Sequence, residues 1–400
     1  MTVNKKIHVH CNLQVFQKCG INTYQTEITQ RLFQYDDIDV DPFYICFKIL
    51  GEDGDFPRRR VRFPRHFVFY AHEVPTSRKP VSFLFDLIKP FVSFDSIIGG
   101  KSEDVFIFFD NTMTTMPVKG KTIALLHDII PLRMAGVFKW EDFFRKNAKN
   151  VVKNATRIVT VSEYSKKDIV EVLHADPDKI DVVYNAVDPE IFSREKTSAE
   201  KFRALREKYG LPEKYILHFG SCLPQKNVPA LIRAYSMMPD ALKNEYRLVI
   251  TNPEQVVETS EGKDDIRKIA AENGVSDYVV FPEKISDDDK IGMYQLASLM
   301  AWPSYLEGFG IPILEAQASG VPVVSSDSSS MPEVAGDSVV YFNPYDTDGM
   351  SQAMTKCLTD ELLRSELVAK GYENLKRFSW DKSAKKFHDI ITSLERKEIS

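Results

Sequence analysis

One stretch of the sequence carries two glutamates in a setting that suits a ligand with many hydroxyl groups. Glu307 and Glu315 are eight residues apart, and Gly308, Gly310 and Pro312 lie between them. Glycine lets a ligand approach the main chain closely, and proline suits the first turn of a helix. Ionised carboxylates accept paired hydrogen bonds from vicinal hydroxyls. We therefore expect Glu307 in a loop, Glu315 about one turn into the following helix, and both in one cleft.

The main-chain amides of this loop are a second part of the predicted site. The apolar run at residues 299–302 predicts a buried strand that ends just before the loop. Open α/β sheets bind ligands at the carboxyl ends of their strands. The amides of Phe309, Gly310 and Ile311 should then lie beside the positive end of a helix, where anions and hydroxyl groups bind.

A second strand, glycine turn and helix start occurs at residues 215–228 and contains Gly220, Ser221 and Lys226. We expect the Lys226 ammonium to meet a diphosphate that the amides at the helix start also attract. The alternative is a lysine at a helix start that is only solvated.

Both segments resemble the retaining GT-B glycosyltransferases of family 4. The resemblance rests on the spacing of Glu307 and Glu315, the Gly-Phe-Gly-Ile-Pro between them and the run at residues 316–324. It implies that Glu307 and the amides of residues 309–311 engage the donor sugar and that Glu315 binds the ribose. Residues 219–227 resemble the family's Gly-x-x-x-Pro-Arg-Lys-Asn segment, which adds Ser221 to the donor-binding set. Gln225 stands where arginine is common, so phosphate neutralisation should depend on Lys226 or on an arginine elsewhere.

The first half of the chain carries weaker signals of the same family. Gly20 follows the first predicted strand at about the place of the family's glycine-rich loop, although the usual second glycine is absent and a plain turn is the alternative. His127 resembles the histidine of the family's His-Asp segment, which implies a role at the donor sugar. A packed core histidine is the alternative. Lys284 and Ile285 lie where the family holds the nucleotide base.

Apolar runs of strand length alternate with helical patterns along the chain, which predicts parallel sheets with crossover helices. With the resemblance, this predicts an α/β fold of the GT-B type, in which two Rossmann-like doubly wound domains face a central cleft. Strands are predicted at residues 7–10, 42–47, 105–109, 122–126, 157–161, 180–183, 215–219, 247–251, 278–281, 299–302, 321–324 and 339–341. Helices include residues 22–34, 139–154, 163–173, 228–238, 287–296 and 312–319. Residues 160–165 predict a helix cap, and residues 183–188 predict a turn.

The length of 400 residues exceeds what one hydrophobic core usually supports, so we expect two domains. We predict an N-terminal Rossmann-like acceptor-binding domain at residues 1–188 and a linker at residues 189–212. A C-terminal nucleotide-sugar-binding domain follows at residues 213–379. The helix at residues 380–400 either packs back on the N-terminal domain or simply ends the second domain.

The composition limits which binding partners and which cellular compartment we expect. The net charge of -5 gives no overall attraction to nucleic acid, and the five scattered cysteines fit free thiols in a reducing cytoplasm. The start of the chain shows no signal-peptide pattern, and no run of about 20 apolar residues predicts a membrane span. The arginines at residues 58–65 are either a solvated loop or a dock for an anionic acceptor or lipid headgroup. The apolar residues 83–92 either pack in the core or rest on a membrane. We therefore expect a cytoplasmic protein with peripheral membrane contact at most.

Two short motifs suggest other functions but lack the surroundings that these functions need, and a third motif is missing where an oxidoreductase would need it. Residues 99–102 resemble the end of a phosphate-binding Walker motif, but Asp95 stands at the required earlier glycine. The Asp-x-Asp triplets, such as residues 37–39 and 346–348, lie outside any glycine-rich strand end, so we expect no catalytic metal. No Gly-x-Gly-x-x-Gly follows the first strand, which disfavours an oxidoreductase.

We therefore expect retaining, metal-independent transfer of a hexosyl group from a nucleotide sugar to a hydroxyl of a glycan or lipid-linked glycan. The catalytic set is Glu307, His127 and Lys226, and no cofactor is expected besides the donor. The segments around His127 and Lys226 look most like those of mannosyltransferases, so the expected donor is GDP-mannose, with a UDP-sugar as the alternative. A sugar-nucleotide epimerase or hydrolase and a non-catalytic binding subunit remain alternatives. Residues 42–116 match the family only loosely and should recognise the acceptor.

Overall fold

The computed structural model describes residues 6–13, 20–44, 100–109, 118–193, 197–253 and 265–396. Most of the region expected to recognise the acceptor lies outside the described residues. The arginine cluster at residues 58–65 and the apolar stretch at residues 83–92 lie there as well.

Six parallel strands form the first described sheet, in the order β2-β1-β3-β4-β5-β6. They are β1 Ile7–Leu13, β2 Ile38–Tyr44, β3 Val105–Phe108, β4 Lys121–Leu125, β5 Arg157–Thr160 and β6 Ile180–Val182. The predicted start of the second strand at residue 42 is wrong, since β2 begins four residues earlier. Ile38 and Val40 are buried while Asp39 between them is exposed. Because strand side chains alternate between the two faces, an exposed acidic residue such as Asp39 does not interrupt the strand.

Helices in the first half of the chain connect and cover these strands. They are α1 Gly20–Leu32, α2 Ile130–Arg133, α3 Glu141–Asn154, α4 Glu163–Leu173 and α5 Pro189–Phe192. In α4, the Ser162 hydroxyl accepts the backbone N–H of Ser165 at 2.9 Å, which is the helix cap predicted from the sequence. The helix α6, Ala199–Tyr209, then leads to the second half of the chain.

The second sheet is also parallel, in the order β12-β11-β10-β7-β8-β9. Its strands are β7 Tyr215–His218, β8 Arg247–Ile250, β9 Val279–Val280, β10 Leu299–Trp302, β11 Val323–Ser326 and β12 Val340–Phe342. The strands that follow β7 are added first on one side of it and then, from β10, on the other. The loops after β7 and β10 therefore emerge side by side where the strand order reverses, which is where doubly wound sheets bind ligands.

Five of the six strands of the second sheet differ from the prediction by one or two residues at an end, and β9 and β11 show the physical reason. β9 is shorter than residues 278–281 because a 3₁₀ turn, Ser276–Tyr278, comes directly before it. β11 begins at Val323, after Pro322, which has no N–H to donate to a neighbouring strand. The helices of this half are α7 Val228–Ser236, α8 Asp240–Glu245, α9 Ile266–Glu272, α10 Asp287–Leu296, α11 Ile311–Ala318, α12 Met331–Ala335, α13 Thr347–Thr359 and α14 Glu361–Leu375.

The last helix, α15 Trp380–Arg396, lies against the first half of the chain. The Trp380 ring meets Tyr24 of α1 edge-on, with 5.9 Å between ring centroids. The Lys121 ammonium at the start of β4 donates to the Leu394 carbonyl at 2.6 Å. The break between the two sheets falls between β6 and β7, and the domain limits at residues 188, 212 and 379 stay predictions. The α/β class and the two doubly wound parallel sheets are confirmed.

Candidate active site

The pair of Lys226 and Glu307 lies at the reversal of strand order. The Lys226 ammonium donates to both carboxylate oxygens of Glu307, at 2.7 and 2.9 Å. It also lies 4.7 Å from the centroid of the Trp302 ring, a cation–π contact. The two side chains are only 16% and 9% exposed, so water screens their charges weakly. Sequence reasoning gave these residues separate roles, and the structure brings them into direct contact.

Two serines hold the loop that carries Glu307. The Glu307 backbone N–H donates to the Ser329 hydroxyl at 3.0 Å. The Ser330 hydroxyl lies 3.0 Å from the carbonyl oxygens of both Glu307 and Phe309. These bonds fix the main chain on both sides of Gly308, so the direction of the Glu307 side chain is set by the loop.

Gly310 joins this loop to α11. Its φ of +100° belongs to the region that favours glycine, and the helix begins at the next residue, Ile311. Glu315 is buried further along this helix, where the Tyr294 hydroxyl donates to it at 2.8 Å. The Lys290 ammonium donates to its other carboxylate oxygen.

Sequence reasoning missed Lys290 and Tyr294. They are four residues apart, so the sequence could have predicted that they lie on the same face of a helix. Nothing in the sequence directs that face toward Glu315. The contact depends on how α10 and α11 pack against each other.

His127 lies two residues beyond β4. Its ring is half-buried against the edge of Tyr24, with 5.3 Å between centroids. A hydrogen bond joins the ring to the Phe109 backbone, and within the described part of the chain Nε2 has no hydrogen-bond partner. Burial lowers the pKa of His127 to about 4, so the imidazole is neutral at physiological pH. The ring is therefore packed against the core, and its Nε2 is a buried atom without a hydrogen-bond partner among the described residues.

Asp128 lies directly against Gly308 of the opposite half. A Cβ placed on Gly308 would be 2.8 Å from Asp128 Oδ2, so a larger residue at that position would displace the carboxyl group. Burial raises the pKa of Asp128 to about 6, and the negative charge of Glu307 adds to the rise, while a hydrogen bond from the Ile130 N–H opposes it.

Further hydrogen bonds join the two halves at this loop. The hydroxyls of Ser162 and Ser165 donate to the Gly308 carbonyl at 2.7 and 3.1 Å. The Glu333 carboxylate accepts the backbone N–H groups of Glu163 and Tyr164 at 2.8 and 3.0 Å. Glu333 thus caps the N-terminus of α4 from the other half of the chain, where a negative charge is favourable. The local sequence predicts the cap by Ser162 but not these longer contacts.

The remaining predicted residues occupy different parts of the site. Gly20 is the first residue of α1, and residues 14–19 before it lie outside the described part of the chain. Ser221 is in the loop after β7. Lys284 is exposed, with a φ of +54°, and lines a surface cavity of about 420 Å³ together with Tyr209 and Phe281. Ile285 is half-buried against the core.

The described residues also bear on membrane crossing and on metal binding. None of the helices within the described ranges is both long enough and apolar enough to cross a membrane. Among the same residues, one group of three side chains could hold a metal ion, formed by His8, His10 and Asp41 in the first sheet. The absence of a catalytic metal stays a prediction.

Two family models together match most of the chain. The model described as glycosyltransferase family 4 matches residues 20–191, and the model described as glycosyl transferases group 1 matches residues 201–374. The chain belongs to glycosyltransferase family 4. The Glu307 loop and the Lys226 loop both fall within the second match.

Curated relatives of this family include bacterial mannosyltransferases. The serotype-specific mannosyltransferase WbdA of Escherichia coli is 34% identical over 274 residues, which is 67% of this chain and 33% of WbdA. This chain thus spans about a third of the length of WbdA. The O-antigen chain mannosyltransferase B of Escherichia coli is 31% identical over 241 residues, 60% of this chain and 61% of that protein.

Solved glycosyltransferase structures share the GT-B fold. Anabaena Alr3699/HepE in complex with UDP-glucose has a TM-score of 0.73 at 16% identity and aligns with 97% of this chain and 100% of its own. WaaG, a glycosyltransferase involved in lipopolysaccharide biosynthesis, has a TM-score of 0.69 at 15% identity, with 96% and 100% aligned. At this identity the likeness concerns the fold.

Proposed function

We propose that this protein transfers a mannosyl group from GDP-mannose to a hydroxyl of a glycan or lipid-linked glycan in polysaccharide biosynthesis, with retention of configuration. The observation that carries the proposal is the shielded pair of Lys226 and Glu307 beside the amides of residues 309–311, in a chain of glycosyltransferase family 4. The mannosyltransferase relatives support the choice of sugar.

Lys226 is the residue that meets the leaving group in this proposal. As the bond between the anomeric carbon and the diphosphate oxygen breaks, negative charge develops on the departing nucleotide diphosphate. A cation already held in a poorly screened place stabilises that charge without reorganisation. The Lys226 ammonium is held in this way by Glu307 and Trp302.

Glu307 and His127 orient the sugar. The Glu307 carboxylate accepts hydrogen bonds from sugar hydroxyls in addition to holding Lys226, and the neutral His127 ring offers its unpartnered Nε2 to another hydroxyl. The acceptor hydroxyl attacks the anomeric carbon on the face that the diphosphate leaves, and its proton passes to the departing phosphate oxygen. No covalent bond to the protein is needed for this sequence of events.

Glu315 and the Lys284–Ile285 segment hold the nucleoside. Glu315 accepts from the ribose hydroxyls, and Tyr294 and Lys290 keep its carboxylate in place. The base lies at the cavity lined by Lys284, where main-chain groups and shape recognise it. Ser221, in the loop that follows β7, and Gly20, at the start of α1, complete the donor contacts.

Ligand-dependent unfolding tests the donor. A ligand that binds only the folded state at 100 times its Kd adds about 2.7 kcal/mol of stability. We expect GDP and GDP-mannose to raise the melting temperature and UDP-sugars to leave it nearly unchanged. Stabilisation by a UDP-sugar and not by GDP-mannose would overturn the donor assignment.

Turnover assays test the reaction class. GDP should form only when a glycan acceptor is present, and NMR of the product should show the α configuration of the donor retained. Steady donor consumption without any acceptor would favour an epimerase or hydrolase instead. Donor binding without turnover across a broad acceptor set would favour a non-catalytic subunit. The proposal includes a cytoplasmic location with peripheral membrane contact. Cell fractionation tests this part of the proposal.

A further inference from the structure

One face of the β1–β2 pair carries an unusual set of polar side chains. Ile7 and Val9 of β1 are buried in the core, while His8 and His10 alternate with them onto the opposite face. In the parallel register, His8 lies beside Asp39 and His10 beside Asp41. Two histidines and two carboxylates are thus brought to one face of the sheet.

Three of these side chains offer atoms that one cation can reach together. His8, His10 and Asp41 each present a ligand atom within 4.8 Å of the other two. The His10 Nδ1 and Asp41 Oδ2 atoms are 3.7 Å apart, and the two imidazole rings meet edge-on with centroids 4.5 Å apart. Zinc–ligand distances of about 2.0–2.2 Å require these atoms to draw closer together, which rotation of the side chains can provide.

The hydrogen bonds of His10 leave its Nδ1 without a proton. Asp104 Oδ2 accepts the Lys101 backbone N–H at 2.7 Å and lies 3.0 Å from His10 Nε2, so Nε2–H donates to it. His10 Nδ1 has no hydrogen-bond partner among the described residues, and its side chain is only 3% exposed. A buried lone pair that faces the Asp41 carboxylate is repelled unless a cation lies between them.

His8 is oriented in the opposite way by a second carboxylate. Asp39 Oδ2 lies 3.1 Å from His8 Nδ1, which makes Nδ1 the donor and leaves the Nε2 lone pair for a ligand. Metal-ligating histidines usually donate their other ring N–H to a carboxylate or carbonyl in this manner. The His10 ring is also fixed by stacking on Phe106, at 4.9 Å between centroids.

We propose that His8, His10 and Asp41 bind a divalent cation of the zinc type. Two imidazole nitrogens and one carboxylate oxygen, completed by water on the side of half-exposed His8, match the ligands that zinc prefers. The three residues lie along the strands, in the half of the chain that does not carry Lys226 and Glu307. The cation therefore stabilises the β1–β2 pair and takes no part in transfer, and this inference is independent of the proposed function.

Metal binding to the full-length protein tests the site. The purified chain is stripped with EDTA, exchanged into buffer, given Zn²⁺ and desalted, and bound zinc is measured by mass spectrometry. We expect about one zinc per chain and a melting temperature several degrees higher with zinc. Co²⁺ in place of zinc should give visible absorption bands typical of nitrogen and oxygen ligands at low coordination number.

The variants His8→Gln and Asp41→Asn should each weaken zinc binding at least tenfold and lose the zinc-dependent rise in melting temperature. Both positions are partly exposed, so the metal-free variants should melt close to the metal-free wild type. His174→Asn is the matched control, because His174 is an exposed histidine with a φ of +54°, which asparagine tolerates. Zinc binding that is equal in wild type, His8→Gln and Asp41→Asn would overturn the proposal, as would a wild type that binds no zinc.

Discussion

Neutralising Lys226 and Glu307 singly and together tests whether their contact is a pair in solution. Removing one partner of a buried ion pair costs about 3–5 kcal/mol, and the partial exposure of Lys226 lowers this to about 2–3 kcal/mol. For a domain of this size about 1 kcal/mol moves the melting temperature by about 2–4 °C. We therefore expect Lys226→Met and Glu307→Gln each to lower it by roughly 5–10 °C. The double variant leaves no unpaired charge and should melt within a few degrees of wild type.

Turnover should respond differently from stability. Loss of a preorganised group that stabilises developing charge costs about a hundredfold to a thousandfold in kcat. Lys226→Met should show a loss of this size, and Glu307→Gln should lower kcat more than donor affinity because the sugar is no longer oriented. The turnover of the double variant should be as low as that of the less active single variant. Recovered stability without recovered turnover would separate the pairing of the two charges from their use in the reaction.

Thermal unfolding, calorimetric titration with GDP-mannose and steady-state transfer provide the three readouts. Lys214→Met is the matched control, because Lys214 and Glu245 form a pair that is about half exposed and should contribute little. If the double variant loses as much stability as the two single variants added together, the contact is absent in solution. If Lys226→Met keeps wild-type turnover, the leaving-group role is wrong.

Four further results are expected from the same geometry. Glu315→Ala should weaken GDP binding while leaving kcat at saturating donor nearly unchanged, and an unchanged Kd would remove the ribose role. Ser162→Ala and Ser165→Ala should each lower kcat severalfold with little change in KM, since each removes a bond of about 1 kcal/mol that holds the Gly308 carbonyl, and equal losses in both parameters would contradict positioning. For Asp128, the folded pKa of about 6 lies above the usual value, so its contribution to stability is present below about pH 4 and is lost as pH rises through 6. Asp128→Asn should therefore be more stable than wild type at pH 7.5 but not at pH 4, in urea unfolding at both values. Finally, EDTA should leave the transfer rate nearly unchanged at 25 °C, and a loss that magnesium or manganese restores would refute metal-independent transfer.

Local patterns predicted the second sheet and its loops well. Each strand there contains a short apolar run, and a glycine-containing turn and a helix start follow β7 and β10, so neighbouring residues already carry the information. Placing Glu307 in a loop and Glu315 within a helix needed only the positions of Gly310 and Pro312. The side chains that surround those two glutamates could not be predicted from local sequence patterns.

The contacts that complete the site connect distant parts of the chain. Lys226 and Glu307 are 81 residues apart, and Ser162 and Gly308 are 146 residues apart. The order of the strands and the packing of the two halves decide which residues meet. Local hydrophobic periodicity contains no information about either. The start of β2 was missed for a different reason: Asp39 and Asp41 look like loop residues until the histidines beside them on β1 are known.

For His127, the structure is consistent with both predicted roles, that of a packed core residue and that of a ligand-binding residue. Its ring packs against Tyr24 as a core histidine would, yet its Nε2 is without a partner among the described residues, as a ligand-binding histidine would be. A buried neutral imidazole with one free nitrogen is stable only if the cost of that nitrogen is offset elsewhere or by a bound ligand. Donor binding would satisfy Nε2, which explains how one ring can serve in the core and at the site.

Gly308 connects the chemistry of the second half to the surface of the first. Its carbonyl accepts from Ser162 and Ser165, its Cα faces Asp128, and the residue before it carries the carboxylate that holds Lys226. A change in the distance between the two halves must therefore move the main chain at Gly308 and, with it, the Glu307 carboxylate. Because the ammonium of Lys226 is held by that carboxylate, the cation that we propose to meet the diphosphate would move with the Glu307 loop. A Cβ at residue 308 would lie 2.8 Å from Asp128 Oδ2 and 3.3 Å from the His127 carbonyl oxygen, so a larger residue would displace the Asp128 carboxyl group at this contact between the two halves.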